Sequence, residues 1–224
     1  MSDTRDQLDE RGYARLGPLL ADDEIADLAT AFDDDARYRS RISMGRYRYG
    51  EGDYAYFASP LPPPVQRLRE ELYVPLAEIA NGWARRAGSR SRWPETLDGL
   101  LARCRRHGQT RPTPLILRYG SGGYNTLHQD RYGEVAFPLQ VVIGLTTPDV
   151  DYTGGEFVLT EQRPRAQSRA TAVRLERGEG VVFPNDRRPV EGRRGVHHVT
   201  HRHGASEIRS GERIALGIIF HDAH

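Results

Sequence analysis

The chain has 224 residues, 38% of them hydrophobic and 28% charged, with a formal net charge of +1. That length can bury a substantial core and reads as one domain over residues 1–224, and no apolar run approaches the length that spans a bilayer. The first twenty residues are charged and unlike a signal peptide, and a single cysteine, Cys104, excludes an internal disulfide, so a cytoplasmic location is expected.

All 32 basic residues are Arg, which points to coding bias rather than to nucleic acid. Their placement is more useful: residues 1–60 carry a net charge of about −5 and the rest about +6. A basic second part favours an anionic ligand, with an Arg-rich solvated surface as the plainer explanation.

Residues 12–16 have the look of a short strand. A helix opens at Asp22, Asp23 and Glu24, whose charges suit a helix N-terminus, and turns Ile25, Leu28 and Phe32 inward. After Pro62, Pro63 and Pro64, a stripe of Val65, Leu68, Leu72, Leu76, Ile79 and Trp83 predicts a second helix, broken or kinked at Pro75. A third begins at Pro94 and turns Leu97, Leu100 or Leu101, and Cys104 inward, ending near Gly108. From residue 112 the pattern changes to short β-type runs, at 114–119, 139–145, 156–160, 172–175, 180–183, 196–202 and 214–221. Strands this short and this many predict a sandwich or barrel of the jelly-roll kind over 112–224, with the helical and mixed part, 1–111, buttressing one sheet.

The chemistry is concentrated in this second part. His128 and Asp130 stand two apart, so on a continuing strand they point to the same face. Two imidazoles and one carboxylate on one face of a metal make the facial triad of non-haem Fe(II) oxygenases, which leaves adjacent positions open. The second imidazole comes from His197, His198, His201, His203 or His221. If the strand at 196–202 continues to 203, His197, His201 and His203 share a face, and alternation alone does not separate His201 from His203. Arg213 enters the apolar run 214–220, where a guanidinium is costly without an anion. Its partner is either an internal carboxylate or a dicarboxylate cosubstrate held by the forked donor.

Substrate signals are thinner. Arg131, Arg163, Arg165, Arg169, Arg187, Arg188, Arg193 and Arg194 fall in loops, either reaching phosphates or simply solvated. The segment 46–57 mixes Arg46 and Arg48 with Tyr47, Tyr49, Tyr54, Tyr56 and Phe57, and serves either to stack a base or as a structural lid.

The run from Arg118 through Tyr119 to His128-Gln-Asp130 resembles the strand leading to the first iron ligands in AlkB-type demethylases and prolyl hydroxylases. Gly154-Gly155-Glu156 and the run 177–183 are similar to middle strands of the same double-stranded β-helix, and His203 with Arg213 resembles the closing motif of the prolyl-hydroxylase type. From Gly12 onward, including the segments 50–57, 111–115, 160–165 and 217–222, the chain resembles a bacterial family of 2-oxoglutarate/Fe(II) oxygenases described as oxidatively demethylating damaged DNA. The resemblance implies a cupin-like double-stranded β-helix, with Fe(II), 2-oxoglutarate and O2 as cofactor and cosubstrates. It implies His128, Asp130 and His203 as iron ligands, His201 as a supporting or packing residue, Arg213 on the far carboxylate of 2-oxoglutarate, and Tyr119 hydrogen-bonded to the cosubstrate. Alkylated DNA is the implied substrate. The chain departs from the pattern at Ala215 and Leu117, where relatives carry a serine and an amide, and it lacks the demethylases' second late arginine. A small molecule, amino acid or protein side chain is therefore the alternative substrate, and a non-catalytic metal-binding jelly roll is the third reading.

Overall fold

The computed structural model describes residues 2–192 and 195–224. The N-terminal part contains α1 (Ser2–Arg11), β1 (Ala14–Pro18), α2 (Asp22–Thr30), β2 (Tyr38–Ser43), α3 (Met44–Tyr47), β3 (Gly50–Glu51), β4 (Asp53–Phe57), α4 (Pro63–Arg86) and α5 (Leu97–Arg106). Strands follow: β5 (Leu115–Tyr119), β6 (Tyr124–His128), β7 (Leu139–Gly144), β8 (Tyr152–Gly154), β9 (Phe157–Gln162), β10 (Arg169–Val173) and β11 (Glu179–Pro184). The last four are β12 (Arg187–Gly192), β13 (Gly195–Ala205), β14 (Ile208–Gly211) and β15 (Arg213–Ile218). Among the described residues no helix is long and apolar enough to cross a membrane.

The strands form two main antiparallel sheets. The larger runs β1-β11-β7-β15-β5-β4-β2; the smaller runs β10-β9-β13-β6-β3, with β12 also on β13; β14 and β8 pair separately. Mostly antiparallel sheets with helices packed on one of them make the expected double-stranded β-helix. Helices α2, α4 and α5 share the largest core cluster with the larger sheet, through residues such as Leu28, Leu76, Trp83, Leu100, Ile143 and Leu216. Between the sheets, Phe157 and Phe183 pack with ring centroids 4.8 Å apart, beside Val142, Leu159 and Ala215. Burying such side chains is the main drive holding the layers together, at about 1.5–3 kcal/mol each.

Several expectations are refined. Pro75 lies inside α4 and does not break it. The carbonyl of Glu71, which a proline cannot serve, belongs to an exposed residue. Helix α5 begins at Leu97 rather than at Pro94, with the Thr96 hydroxyl accepting the Gly99 N–H at 3.2 Å, and Leu100 rather than Leu101 is fully buried. The larger sheet also draws on β1, β2 and β4 from before residue 112. Strand β2, at the sheet's end, shows no apolar alternation, because neither of its faces is fully covered.

Candidate active site

Two neighbouring strands bring the imidazoles together. His128 ends β6 and His203 lies on β13 directly opposite it in the ladder, their ring centroids 4.2 Å apart. Strand β13 continues through 203, and its inward face carries Val199, His201 and His203 in alternation. Asp130 lies beyond the end of β6, so strand alternation does not aim it. Its main chain is clamped instead by Asn185: the Asp130 N–H donates to Asn185 Oδ1 at 2.9 Å, and Asn185 Nδ2 donates back to the Asp130 carbonyl. The result places His203 Nε2 3.2 Å from Asp130 Oδ2 and His128 Nε2 3.6 Å from Oδ1. One donor atom from each residue lies within 4.8 Å of the others.

The protonation states suit a cation. His128 Nδ1 lies 2.7 Å from the Thr126 carbonyl; donation there leaves the Nε2 lone pair facing Asp130. Burial, reinforced by the neighbouring His128, pushes the His203 pKa down and favours the neutral ring a metal needs. Burial opposes ionisation of Asp130, but the adjoining His203 and His128 and a hydrogen bond from Tyr132 outweigh it and hold the carboxyl below its usual range. Tyr132 donates to Asp130 Oδ1 at 2.7 Å, and Tyr56 donates to the Tyr132 oxygen at 3.1 Å.

Arg213 opens β15, is 3% exposed, and pairs in register with Tyr119 on β5. Its guanidinium carbon sits 5.6 Å from the Tyr119 ring centroid. Among the described residues no carboxylate pairs with it, and its Nε is buried without a hydrogen-bond partner. The internal ion pair that would explain a buried arginine is thus not formed. Gly155 has φ +63°, and a Cβ there would meet Ile208 Cδ1 at 2.3 Å and Arg213 Cδ at 3.0 Å, so only glycine leaves the arginine its place. Tyr119, buried with its pKa raised to about 12 chiefly by burial, accepts a hydrogen bond from Asn125 at 3.2 Å. A cavity of about 310 Å³ reaches His128, Asp130, His203, Tyr119 and Arg213.

The other candidates are elsewhere. His201 is buried in a network with Arg188, whose Nε donates to His201 Nε2 at 3.1 Å and whose NH2 lies 2.6 Å from Glu161. Burial and Arg188 push its pKa down to about 4. His197 and His198 lie on β13 away from the cavity, and His221 accepts the Phe137 N–H at 3.1 Å behind the site. Of the arginines expected in loops, Arg169 instead opens β10, and Arg187 and Arg188 open β12, because neighbouring strands pair these short polar runs. Arg188 is structural, Arg131 and Arg187 face Asp186, Arg163 faces Glu161, and Arg165 and Arg169 are exposed. Arg193 and Arg194 lie outside the described residues. Asn185, Gln140 and Asn125 escape a reading of the sequence, because an amide advertises nothing until the fold aims it. Gln140 Nε2 reaches 3.4 Å from His203 Nε2.

Two facing antiparallel sheets with a His/Asp/His cluster between them are the scaffold of the double-stranded β-helix oxygenases. The chain belongs to the family described as "Oxygenase, catalysing oxidative methylation of damaged DNA", whose model matches residues 52–223. Two uncharacterized proteins of Mycobacterium tuberculosis are 54% identical over 167 residues, covering 75% of this chain and 72% of theirs. Among solved structures, a Pseudomonas putida prolyl-4-hydroxylase is similar with TM-score 0.54 and 15% identity, over 99% of this chain and 97% of that one. A 2OG-Fe(II) oxygenase family oxidoreductase from Burkholderia pseudomallei gives TM-score 0.53 and 17% identity, over 99% and 92%. The epimerase SnoN of nogalamycin biosynthesis gives TM-score 0.58 and 13% identity, over 96% and 80%. At such identities the structures share the fold. The chain is an oxygenase.

Proposed function

We propose that this oxygenase is Fe(II)- and 2-oxoglutarate-dependent and that it oxidatively demethylates alkylated nucleobases in DNA. The observation that carries the cofactor assignment is Arg213: a buried cation with an unpartnered Nε, sharing one cavity with His128, Asp130 and His203. Two imidazoles and one carboxylate are a donor set that suits ferrous iron. Tyr152 hydrogen-bonds the guanidinium but brings no negative charge, and a carboxylate on the cosubstrate supplies the missing anion.

His128, Asp130 and His203 would hold the iron, Arg213 the far carboxylate of 2-oxoglutarate, with Tyr119 beside it. When bound, the iron and 2-oxoglutarate would let dioxygen act as the oxidant, one oxygen atom going into succinate as the keto acid loses carbon dioxide and the other into a substrate C–H bond. The protein's own part is positional. Tyr132 orients Asp130, Thr126 fixes the His128 ring, and the lining of Phe157, Phe183 and Val142 keeps the interior side of the cavity dry. On an N-methyl group the product N–CH2OH releases formaldehyde and leaves the base demethylated. The family description supports damaged DNA as substrate.

A hydroxylase of a small molecule or of an amino-acid side chain is the second reading, favoured by the modest cavity and its tyrosine hydroxyls. Iron-dependent succinate release tests the oxygenase assignment, and alanine at His128, Asp130 or His203 should abolish it. Arg213→Ala should raise the KM for 2-oxoglutarate roughly 10- to 100-fold, from the loss of charged hydrogen bonds. An unmoved KM would refute its role. Formaldehyde release from methylated oligonucleotides, set against peptides and free amino acids, decides between the substrates.

A further inference from the structure

The described residues include seven large hydrophobic side chains that are well exposed, and four of them, Tyr47, Tyr49, Tyr124 and Leu127, lie on one strap and the strand beside it. The strap is α3 and β3; β3 pairs with β6, Glu51 opposite Tyr124 and Gly50 opposite Asn125. Tyr49 lines the cavity, so this patch begins at its mouth. Tyr47 and Tyr49 are 50% and 49% exposed and stack on each other, ring centroids 5.6 Å apart and planes inclined by 18°.

The strap is not a loose flap. Met44 is fully buried among Tyr119, Tyr152 and Ile208. The Tyr49 carbonyl accepts from both the Thr126 N–H at 2.9 Å and the Thr126 hydroxyl at 2.7 Å. A Cβ at Gly50 would come within 2.2 Å of the Tyr124 carbonyl, so the backbones meet where only glycine fits. The strap is thus anchored from within by Met44, while the two tyrosines remain half exposed. An exposed, held aromatic pair is what a ligand with flat faces needs.

The charges select the ligand. Arg46 sits 5.7 Å from the Tyr47 ring centroid, and neither Arg46 nor Arg48 has a carboxylate partner among the described residues. Arg202, exposed on the outer face of β13 next to β6, is likewise unpaired. The acidic side chain of the strap, Glu51, folds back on Gly45, where a Cβ would touch its carboxylate at 3.1 Å.

We propose that Tyr47, Tyr49, Tyr124 and Leu127, with Arg46, Arg48 and Arg202, form a platform for single-stranded DNA, stacking the bases that flank the nucleotide offered to the cavity. The proposal rests on the DNA reading of the site and adds where and in what form the strand is held. A duplex shows base edges and backbone outward, whereas an open strand offers the π faces that stacked tyrosines accept.

Fluorescence anisotropy with a labelled short single strand, the same sequence as duplex, and a labelled acidic peptide tests it on the full chain. The wild type should bind the single strand most tightly, with affinity falling as salt rises. Tyr47→Ala and Tyr124→Ala should each weaken it roughly 5- to 100-fold, while Tyr47→Trp retains binding. Arg46→Gln should lower the salt slope by about one. Iron-dependent succinate formation without DNA should stay at the wild-type rate in Tyr47→Ala, which also reports that the variant is folded. Equal binding by Tyr47→Ala and wild type, or tighter binding of duplex or peptide, overturns the platform. Succinate release without strand binding sinks the platform and spares the oxygenase; failure of succinate release in the wild type sinks the oxygenase whatever the strand does.

Discussion

Tyr132 holds one oxygen of Asp130 while His203 faces the other. A carboxylate so divided presents a single oxygen to a cation instead of swinging to offer both. Behind Tyr132 stands Tyr56, and behind that Arg39, whose guanidinium carbon is 4.5 Å from the Tyr56 ring centroid. Tyr132→Phe should weaken metal binding roughly 10- to 100-fold, the usual effect of losing a hydrogen bond to a ligand. Calorimetric titration with Co(II) as a stand-in for Fe(II) reads this directly, alongside the melting temperature of the metal-free protein. Unchanged Co(II) affinity would mean that Asn185 alone fixes Asp130. Tyr56→Phe should act in the same direction and more weakly. At this scale His128, Asp130, His203 and Arg213 stand out in the sequence because their chemistry is rare in that combination. Tyr132 and Asn185 do not, since their roles exist only as distances.

Helix α4 runs for 24 residues with a proline inside it. The inward stripe of Val65, Leu68, Leu76, Ile79 and Trp83 outweighs the one missing hydrogen bond, because each buried side chain contributes more than that bond is worth. Pro75→Ala should restore the N–H to the Glu71 carbonyl and stabilise the protein by about 1–3 kcal/mol. A urea midpoint that stays or falls would show that the ring's own packing matters more. The helical stripes are legible because amphipathic periodicity is a property of the sequence itself. Strands β8, β12 and β14 are not: Tyr152–Gly154 is three residues long, and β12 carries Pro189 and two arginines. Neighbouring strands, rather than alternation, hold them in place.

Across the whole molecule, the layers are tied by buried and half-buried polar groups. Asp9 accepts from Trp83 at 2.7 Å and from Arg86 at 2.8 Å, and its carbonyl accepts from Arg188, so α1 joins α4 to the smaller sheet. Arg69 on α4 reaches the Phe220 carbonyl at 2.8 Å and Asp222 at 2.6 Å. His221 lies in this seam, its ring centroid 6.0 Å from that of Tyr132. Burial lowers its pKa to about 4, with Asp130 opposing and Arg69 assisting. A folded pKa below the unfolded one means that the unfolded chain takes up the extra proton. Stability should therefore fall as pH drops from about 6.5 towards 4, by on the order of 2–3 kcal/mol from this residue. His221→Asn keeps an acceptor for the Phe137 N–H and should flatten that part of the curve, measured as urea midpoints against pH. A wild-type curve flat over that window would contradict a buried neutral ring.

Composition and periodicity alone determine that this chain makes a helical buttress and a β-rich core, and the types of its reactive side chains determine the iron and keto-acid chemistry it can host. Both are local properties, carried by neighbouring residues whatever the rest of the chain does. The resemblance already favours His203 over His201, but only the tertiary structure sets His203 opposite His128, leaves Arg213 without an internal anion, and leaves Tyr47 and Tyr49 half exposed. Those outcomes depend on strand register and on which groups come within a few ångströms across the sheets, and no stretch of sequence holds both members of such a pair.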